Sequence, residues 1–333
     1  MTYLLIKIRK KVCETAKLLL LLSHERGDTM RKLPLNATMS SNNTASHILQ
    51  RLTTGDERVP IVMGILNCTP DSFYEGSRKQ TEYEIASRAD QILHEGGEII
   101  DIGAFSTRPG ADEVSQDEEM RRMSHALAII RRAHPNAILS IDTYRPAVAR
   151  MAVEEYGADI INDVSEGGIT GIVDKPLETA EGEGDIPAMF AEVARLHVPY
   201  ILMSVQTEME TMLKNFRKEV ATLQALGVKD IILDPGYGFG KDVIKGNFTI
   251  LRRQKEIKDT FPQLPLLAGM SRKRMIWQLL GGTAQDTTAM QGTMLANLVA
   301  IQNGADILRV HDVKEARATV LIANQLAEKQ QTA

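Results

Sequence analysis

Cysteine is scarce: Cys13 and Cys68 are the only two, and they fall in structurally unrelated segments. That excludes a disulfide framework and a Cys-rich zinc site and points to a reducing, cytoplasmic compartment. Long apolar runs are missing as well. The longest, residues 18–22, is far short of the ~20 residues that cross a membrane. Basic residues at 7–11 precede it, but Ser23-His24-Glu25-Arg26 follows where a leader would carry a small-residue cleavage site, so no export is expected. Charge of one sign is lacking too. Lys plus Arg number 39 against 43 Asp plus Glu, a net charge of −4, too near balance for nucleic acid or an anionic membrane as partner. Three catalytic signatures are absent: the His-Glu-x-x-His pair of a metalloprotease, zinc-spaced Cys/His clusters, and a Gly-x-Ser-x-Gly elbow. The stretch 236–241 fails as a phosphate loop, because Pro235 stands where a glycine is needed and Asp242 where a Ser or Thr is needed.

What is there is a chain of 333 residues, 43% apolar, long enough for a substantial core. Residues 1–58 show no sustained periodicity and include the polar stretch 40–46, so they are expected to form a weakly ordered extension, with Met30 or Met39 as the expected native start. Residues 59–330 form the expected domain. In it, short β-rich apolar runs alternate with longer amphipathic stretches. The runs are 61–66, 98–102, 138–141, 159–161, 200–203, 230–233, 265–268 and 306–310. Most are apolar on both faces, the pattern of parallel strands covered by helices. Capping boxes are predicted at Thr81 with Glu84, Ser115 with Glu118, and Asp312 with Glu315. Eight such units predict an α/β fold, a (β/α)8 TIM barrel in preference to a doubly wound open sheet. A Gly/Glu-rich stretch, 167–185, interrupts the rhythm and is expected to be a surface loop.

In such a barrel the chemistry sits at the C-terminal ends of the strands. There the third, fourth and sixth runs present Asp142, Asn162 and Asp234, while the last two lead to Arg272, Lys273, Arg274, Arg309 and His311. The separation suggests a ligand with two unlike ends. Carboxylates and an amide suit a heterocycle rich in N–H donors, and the cations suit a phosphate. Each residue also has a plain structural reading. Asp142 could cap the next helix, Asn162 could satisfy nearby backbone, and Asp234 could open a turn with Pro235 and Gly236. His311 could simply neighbour a helix cap. The cations at 272–274 would oppose the dipole of a helix starting there unless an anion lies near, and an arginine at 309 inside an apolar strand must find a partner.

Seven ordered segments are distinctive. They are Met63-Gly64-Ile65-Leu66-Asn67-Cys68-Thr69-Pro70-Asp71-Ser72-Phe73, Ser106-Thr107-Arg108-Pro109-Gly110, Ile141-Asp142-Thr143, Asn162-Asp163, Asp234-Pro235-Gly236-Tyr237-Gly238-Phe239, Ser271-Arg272-Lys273 and Arg309-Val310-His311-Asp312. Together, over residues 61 to about 325, they resemble the dihydropteroate synthase family. The resemblance implies an enzyme that joins 6-hydroxymethyl-7,8-dihydropterin diphosphate to 4-aminobenzoate with loss of diphosphate, uses Mg²⁺, and is inhibited by sulfonamides. It also implies a homodimer, through the last helices. It implies a pterin diphosphate site at Thr107, Asp142, Asn162, Asp234, Lys273, Arg309 and His311, with the metal at Asn67. The aminobenzoate site would take Phe73, Thr107, Arg108, Pro109, Phe239 and Lys273, and the catalytic groups would be Asp71, Asp142, Asp234 and Lys273. Phe105, Ser204, Glu75 and Arg274 depart from the residues usual in that family. The rival readings are a methyltetrahydrofolate-dependent methyltransferase on a related barrel and a pterin-binding paralogue without catalysis.

Overall fold

The predicted runs become parallel strands. A computed structural model describes residues 45–54, 59–68, 78–105, 114–167 and 186–328, all within the compact unit Asn42–Ala333. The strands are β1 (Ile61–Asn67), β2 (Ile99–Gly103), β3 (Leu139–Asp142), β4 (Ile160–Asp163), β5 (Tyr200–Met203), β6 (Ile231–Asp234), β7 (Leu267–Ala268) and β8 (Ile307–Val310). They pair in the order β6-β5-β4-β3-β2-β1-β8-β7. A single parallel bridge, Leu233 to Leu266, brings β6 to β7. Each strand therefore neighbours its successor all the way round, with no switch point of the kind an open doubly wound sheet has. The result is the expected barrel, nearly closed.

Helices follow the strands: α2 (Arg78–His94), α3 (Gln116–Ala133), α4 (Pro146–Tyr156), α5 (Ala188–Leu196), α6 (Met209–Ala225), α7 (Lys245–Thr260), α8 (Arg274–Leu279), α9 (Thr287–Gln302) and α10 (Val313–Glu328), with α1 (Ala45–Thr54) ahead of β1. Two cores result from the two faces of each strand. The outward residues, among them Val62, Ile100, Ile141, Leu202 and Leu308, pack on helix residues such as Ile92, Met123 and Phe216. The inward residues Ile61, Met63, Ile99, Ile138, Ile160, Ile201, Ile232, Leu267 and Ile307 fill the barrel.

Several expectations are corrected. Residues 45–54 fall within the expected weakly ordered extension, yet they form α1. Ala45, Ile48, Leu49 and Leu52, spaced as one helical stripe, are buried with the inward residues of the barrel. Ser46 donates to Asp230 at 2.7 Å and Arg51 to Glu98 at 2.9 Å, both beside strand starts. Ten residues are too few to hold a helix by propensity alone, so its order comes from tertiary packing that periodicity alone does not reveal. Of the capping boxes, Ser115 caps α3 as expected, accepting from Glu118 N. Thr81 lies inside α2, which starts at Arg78, and the Asp312 carboxylate is held by Arg272. Residues 168–185 of the expected surface loop lie outside the described residues.

Candidate active site

Alternation along the strands builds the site. Two residues beyond five of the seven inward strand isoleucines the next inward side chain is polar: Asp101 after Ile99, Ser140 after Ile138, Asn162 after Ile160, Asp234 after Ile232 and Arg309 after Ile307. An apolar floor thus carries a polar layer toward the C-terminal mouth, and Asp142 stands one further step up β3.

Arg309 is the centre of this layer. Its Nε donates to Asp101 Oδ2 at 2.6 Å and its Nη2 to Asp142 Oδ2 at 2.5 Å. Asp101 also accepts from Ser140 Oγ at 2.7 Å and from Asn162 Nδ2 at 3.2 Å. Burial works against the Arg309 charge, but the Asp101 and Asp142 carboxylates outweigh it and raise its pKa further. Burial, with Asp101 adding to it and Arg309 opposing it, lifts Asp142 to about 7. Asp142 Oδ1 is buried with no hydrogen-bond partner, an acceptor left for a ligand donor.

Asp234 and Lys273 form the neighbouring wall. Asp234, 7% exposed, is raised by burial, and the nearby Lys273 and Arg309 charges pull it back down. Its Oδ1 accepts from Gly236 N at 2.8 Å, so the turn reading of this carboxylate is realised. Gly236 itself has φ +68°, and a Cβ there would lie 2.1 Å from Ser204 O, which no other residue tolerates. Lys273 is held down to about 7 by burial, against the pull of Asp234. Its ammonium donates to Tyr237 O and lies 4.4 Å from the centroid of the Phe239 ring. Lys241 donates to the carbonyls of Ser204, Gly236 and Phe239, so the stretch 236–241 is a turn clasped by its own lysine.

The expected cluster of cations is not one group. Arg272 has φ +52° and lies before α8, whose N-cap is Lys273. Its guanidinium takes both Asp312 oxygens, at 2.7 and 2.8 Å, and Ala284 O at 2.9 Å. Arg274 points along its own helix to Gln278 at 3.0 Å. Lys273 and Arg309 turn to the acids, and His311 contacts Ser271. The sequence therefore separates the charges by strand, but in space Arg309 reaches across to the carboxylates. The alternative that Asp142 caps the next helix is not realised, since the N-cap of α4 is Arg145.

Asn67 ends β1 on the exposed side, and its Oδ1 is 3.5 Å from where a Cβ on Gly103 would stand, with Asp142 Oδ2 at 3.7 Å from the same point. Among the described residues no three His, Cys, Asp or Glu side chains gather as a metal site. A lone amide oxygen at the mouth still fits Mg²⁺, which takes few protein ligands and binds chiefly through phosphate oxygens and water. Asp71, Phe73, Thr107, Arg108 and Pro109 lie outside the described residues.

Sequence reading missed Asp101. Its signal was present: a lone carboxylate in the apolar run Ile99-Ile100-Asp101-Ile102, in phase with the inward isoleucine.

A barrel whose mouth sets three carboxylates and an amide against an arginine and a lysine defines a class of enzyme that grips a polar ring. The sequence matches the profile of the pterin binding enzyme family over residues 63–311. It is 34% identical over 278 residues to the dihydropteroate synthase of Escherichia coli K12, covering 79% of this chain and 90% of that protein. Among solved structures, the Clostridium difficile dihydropteroate synthase with pteroic acid superposes with a TM-score of 0.69 at 32% identity, covering 81% of this chain and 98% of that one. The Yersinia pestis enzyme in complex with a sulfonamide drug gives 0.68 at 31% identity, with 83% and 98% covered. The chain belongs to the pterin-binding enzyme family and, within it, to the dihydropteroate synthases, transferases of folate synthesis.

Proposed function

We propose that the protein condenses 6-hydroxymethyl-7,8-dihydropterin diphosphate with 4-aminobenzoate, giving 7,8-dihydropteroate and diphosphate. The observation that carries this reading is the buried, unpartnered Asp142 Oδ1 beside Arg309, an acceptor matched to a ring N–H. Asp234 and Asn162 supply further polar groups for the ring edge, Lys273 a donor for its carbonyl oxygen, and the Arg309 guanidinium a plane to pack on it. His311 and Arg309 would hold the diphosphate. Mg²⁺ held at Asn67 would supply charge neutralisation for the departing diphosphate.

The reaction proceeds in an SN1-like sense. The bond between the pterin methylene carbon and the diphosphate oxygen breaks, its electron pair leaves with diphosphate, and the ring delocalises the positive charge. The aminobenzoate nitrogen then gives its lone pair to the methylene carbon and loses a proton. Asp142 and Asp234 stabilise the cation from fixed positions in a buried site, where such charges act far more strongly than in water. Phe239 with the Lys273 stem would flank the aminobenzoate, the place where sulfonamides would compete. The Asp71 and Phe73 loop and the Thr107, Arg108 and Pro109 loop would cover the reacting groups and keep water from the cation.

A homodimer is part of the same proposal. Leu295 and Val299 of α9 and Leu321, Ile322 and Leu326 of α10 are exposed, and these two helices pack together. Large apolar side chains so concentrated at one end of the chain suit a second copy as cover. Diphosphate release that needs both substrates and Mg²⁺, and is suppressed by a sulfonamide, tests the activity. Binding of the pterin compound without release would favour an inactive paralogue.

A further inference from the structure

We propose that Arg88 of α2 is a positioning residue that sets the gap between Asn67 and His311, and with it the fit of the diphosphate between them; this rests on the reaction proposed above. The paired register of β1 and β8 runs from Ile61 with Ile307 to Gly64 with Val310 and ends there. One step on, Ile65 would face His311. At that step Arg88 takes the place of a rung: its Nε donates to Ile65 O at 3.2 Å and its Nη2 to His311 O at 2.6 Å. A guanidinium is planar and its donors are fixed relative to one another, so two carbonyls that both bind it are held at one separation. Asn67 lies two positions beyond Ile65 on the same side of β1, and His311 lies two beyond Arg309 on β8 and the turn that follows it. The separation that Arg88 fixes is therefore the one between the amide and the imidazole at the mouth.

The bridge is itself braced. Arg88 Nη1 donates to Gln91 Oε1 at 2.9 Å and Gln91 Nε2 to Glu95 Oε1 at 2.8 Å, a chain along α2. Ile92, one turn on from Arg88, is fully buried and lies so close to β1 that a Cβ on Gly64 would stand 2.5 Å from its Cγ2. Ser271 Oγ accepts from His311 N at 3.0 Å, so residue 311 is held at its N–H from the β7 side and at its carbonyl from the β1 side. The ring end of the site rests on other supports. Asp142, Asn162 and Asp234 stand on β3, β4 and β6, and Arg309 is anchored by Asp101 and Asp142. A change at Arg88 should therefore act on the diphosphate end and spare the ring end.

Two ligands test this by calorimetry on the full chain: inorganic diphosphate with Mg²⁺ for one end of the site, and pteroic acid, which has the ring and no diphosphate, for the other. Arg88→Lys keeps the charge but replaces the fixed pair of donors with a single ammonium. It should bind diphosphate about tenfold more weakly, the scale of one hydrogen bond, and pteroic acid as the wild type does. Arg88→Gln, which keeps a donor and removes the charge, should show the same split, so the result does not hang on one variant. Wild-type diphosphate affinity in Arg88→Lys overturns the proposal, because a charge without the bridge would then suffice. An equal loss for both ligands overturns it as well, by marking Arg88 as merely structural. Neither measurement needs turnover. A wild type and variants that behave as expected, in a protein that releases no diphosphate from the two substrates, would count against the proposed reaction and leave the Arg88 assignment standing.

Discussion

The Asp101 carboxylate, with no solvent exposure, accepts Nε of Arg309 at 2.6 Å. It orients both Arg309 and Asn162 from within the polar layer. Asp101→Asn keeps the shape and removes the charge. Arg309 then loses one of two counterions in a buried site, and truncating such a pair costs about 3–5 kcal/mol; the remaining Asp142 contact puts the expected loss near the lower end. Urea unfolding should show a folded but weakened protein, and calorimetry a pterin diphosphate affinity at least tenfold lower. Unchanged affinity would show that Arg309 needs no support from below.

The pH dependence follows from two groups shifted toward each other. Burial lifts Asp142 to about 7 and lowers Lys273 to about 7. Ring binding requires the Asp142 acceptor ionised and the Lys273 donor protonated. Falling pH protonates Asp142 and rising pH strips Lys273, so kcat/KM for the pterin diphosphate should trace a narrow bell centred about pH 7, reporting the free enzyme. Lys273→Arg replaces the titrating amine with a permanent cation. Its activity should be lower throughout, but the alkaline fall should disappear. An alkaline limb retained in that variant would assign it to another group.

Helix α1 offers a test of the floor. Leu52 is 1% exposed and packs with the inward residues of the barrel. Leu52→Ala should cost about 2–5 kcal/mol, read as an earlier midpoint in denaturant. Pterin affinity should be unchanged at temperatures where the variant is folded, because the apolar layer lies between α1 and the polar one. A shift in affinity would mean that the floor sets the geometry of the mouth.

Much of this was legible because the barrel writes itself in a simple code. Runs such as 61–66 and 200–203 are apolar on both faces, and the polar residues that end other runs, Asp142 and Asn162 among them, line the candidate site. What stayed hidden depended on phase and on partners. Asp101 lies inside a run and not at its end, so reading strand ends passed over it. Arg272 looked like a helix cation until a left-handed backbone and Asp312 took it out of the mouth. Helix α1 gives too short a signal, and only contact with the barrel makes it a helix.

The proposed dimer face can be broken by charge. Leu295 is 68% exposed on α9. Leu295→Glu should leave the unfolding midpoint of the isolated chain within about 0.5 kcal/mol of wild type, as surface changes do, while sedimentation velocity shows the dimer converted to monomer. A variant that sediments as the wild type does would place any interface elsewhere.

Glu219 of α6 carries a stability cost that pH should expose. Its carboxyl hydrogen-bonds that of Glu166, and burial together with the Glu166 charge pushes it up to about 8 from an ordinary 4.5. Its Oε2 has no hydrogen-bond partner. Between those two pKa values the native chain keeps a proton that the unfolded chain has given up. Unfolding releases that proton, so the stability this group contributes is fully present below about pH 4.5 and is lost as pH rises toward 8. Glu219→Gln supplies a permanent N–H donor for Glu166 and nothing to titrate. Its melting temperature should match wild type near pH 4.5 and rise above it progressively by pH 8, measured by calorimetry at several pH values. A gap that stays constant across that range would show that Glu219 does not hold the proton.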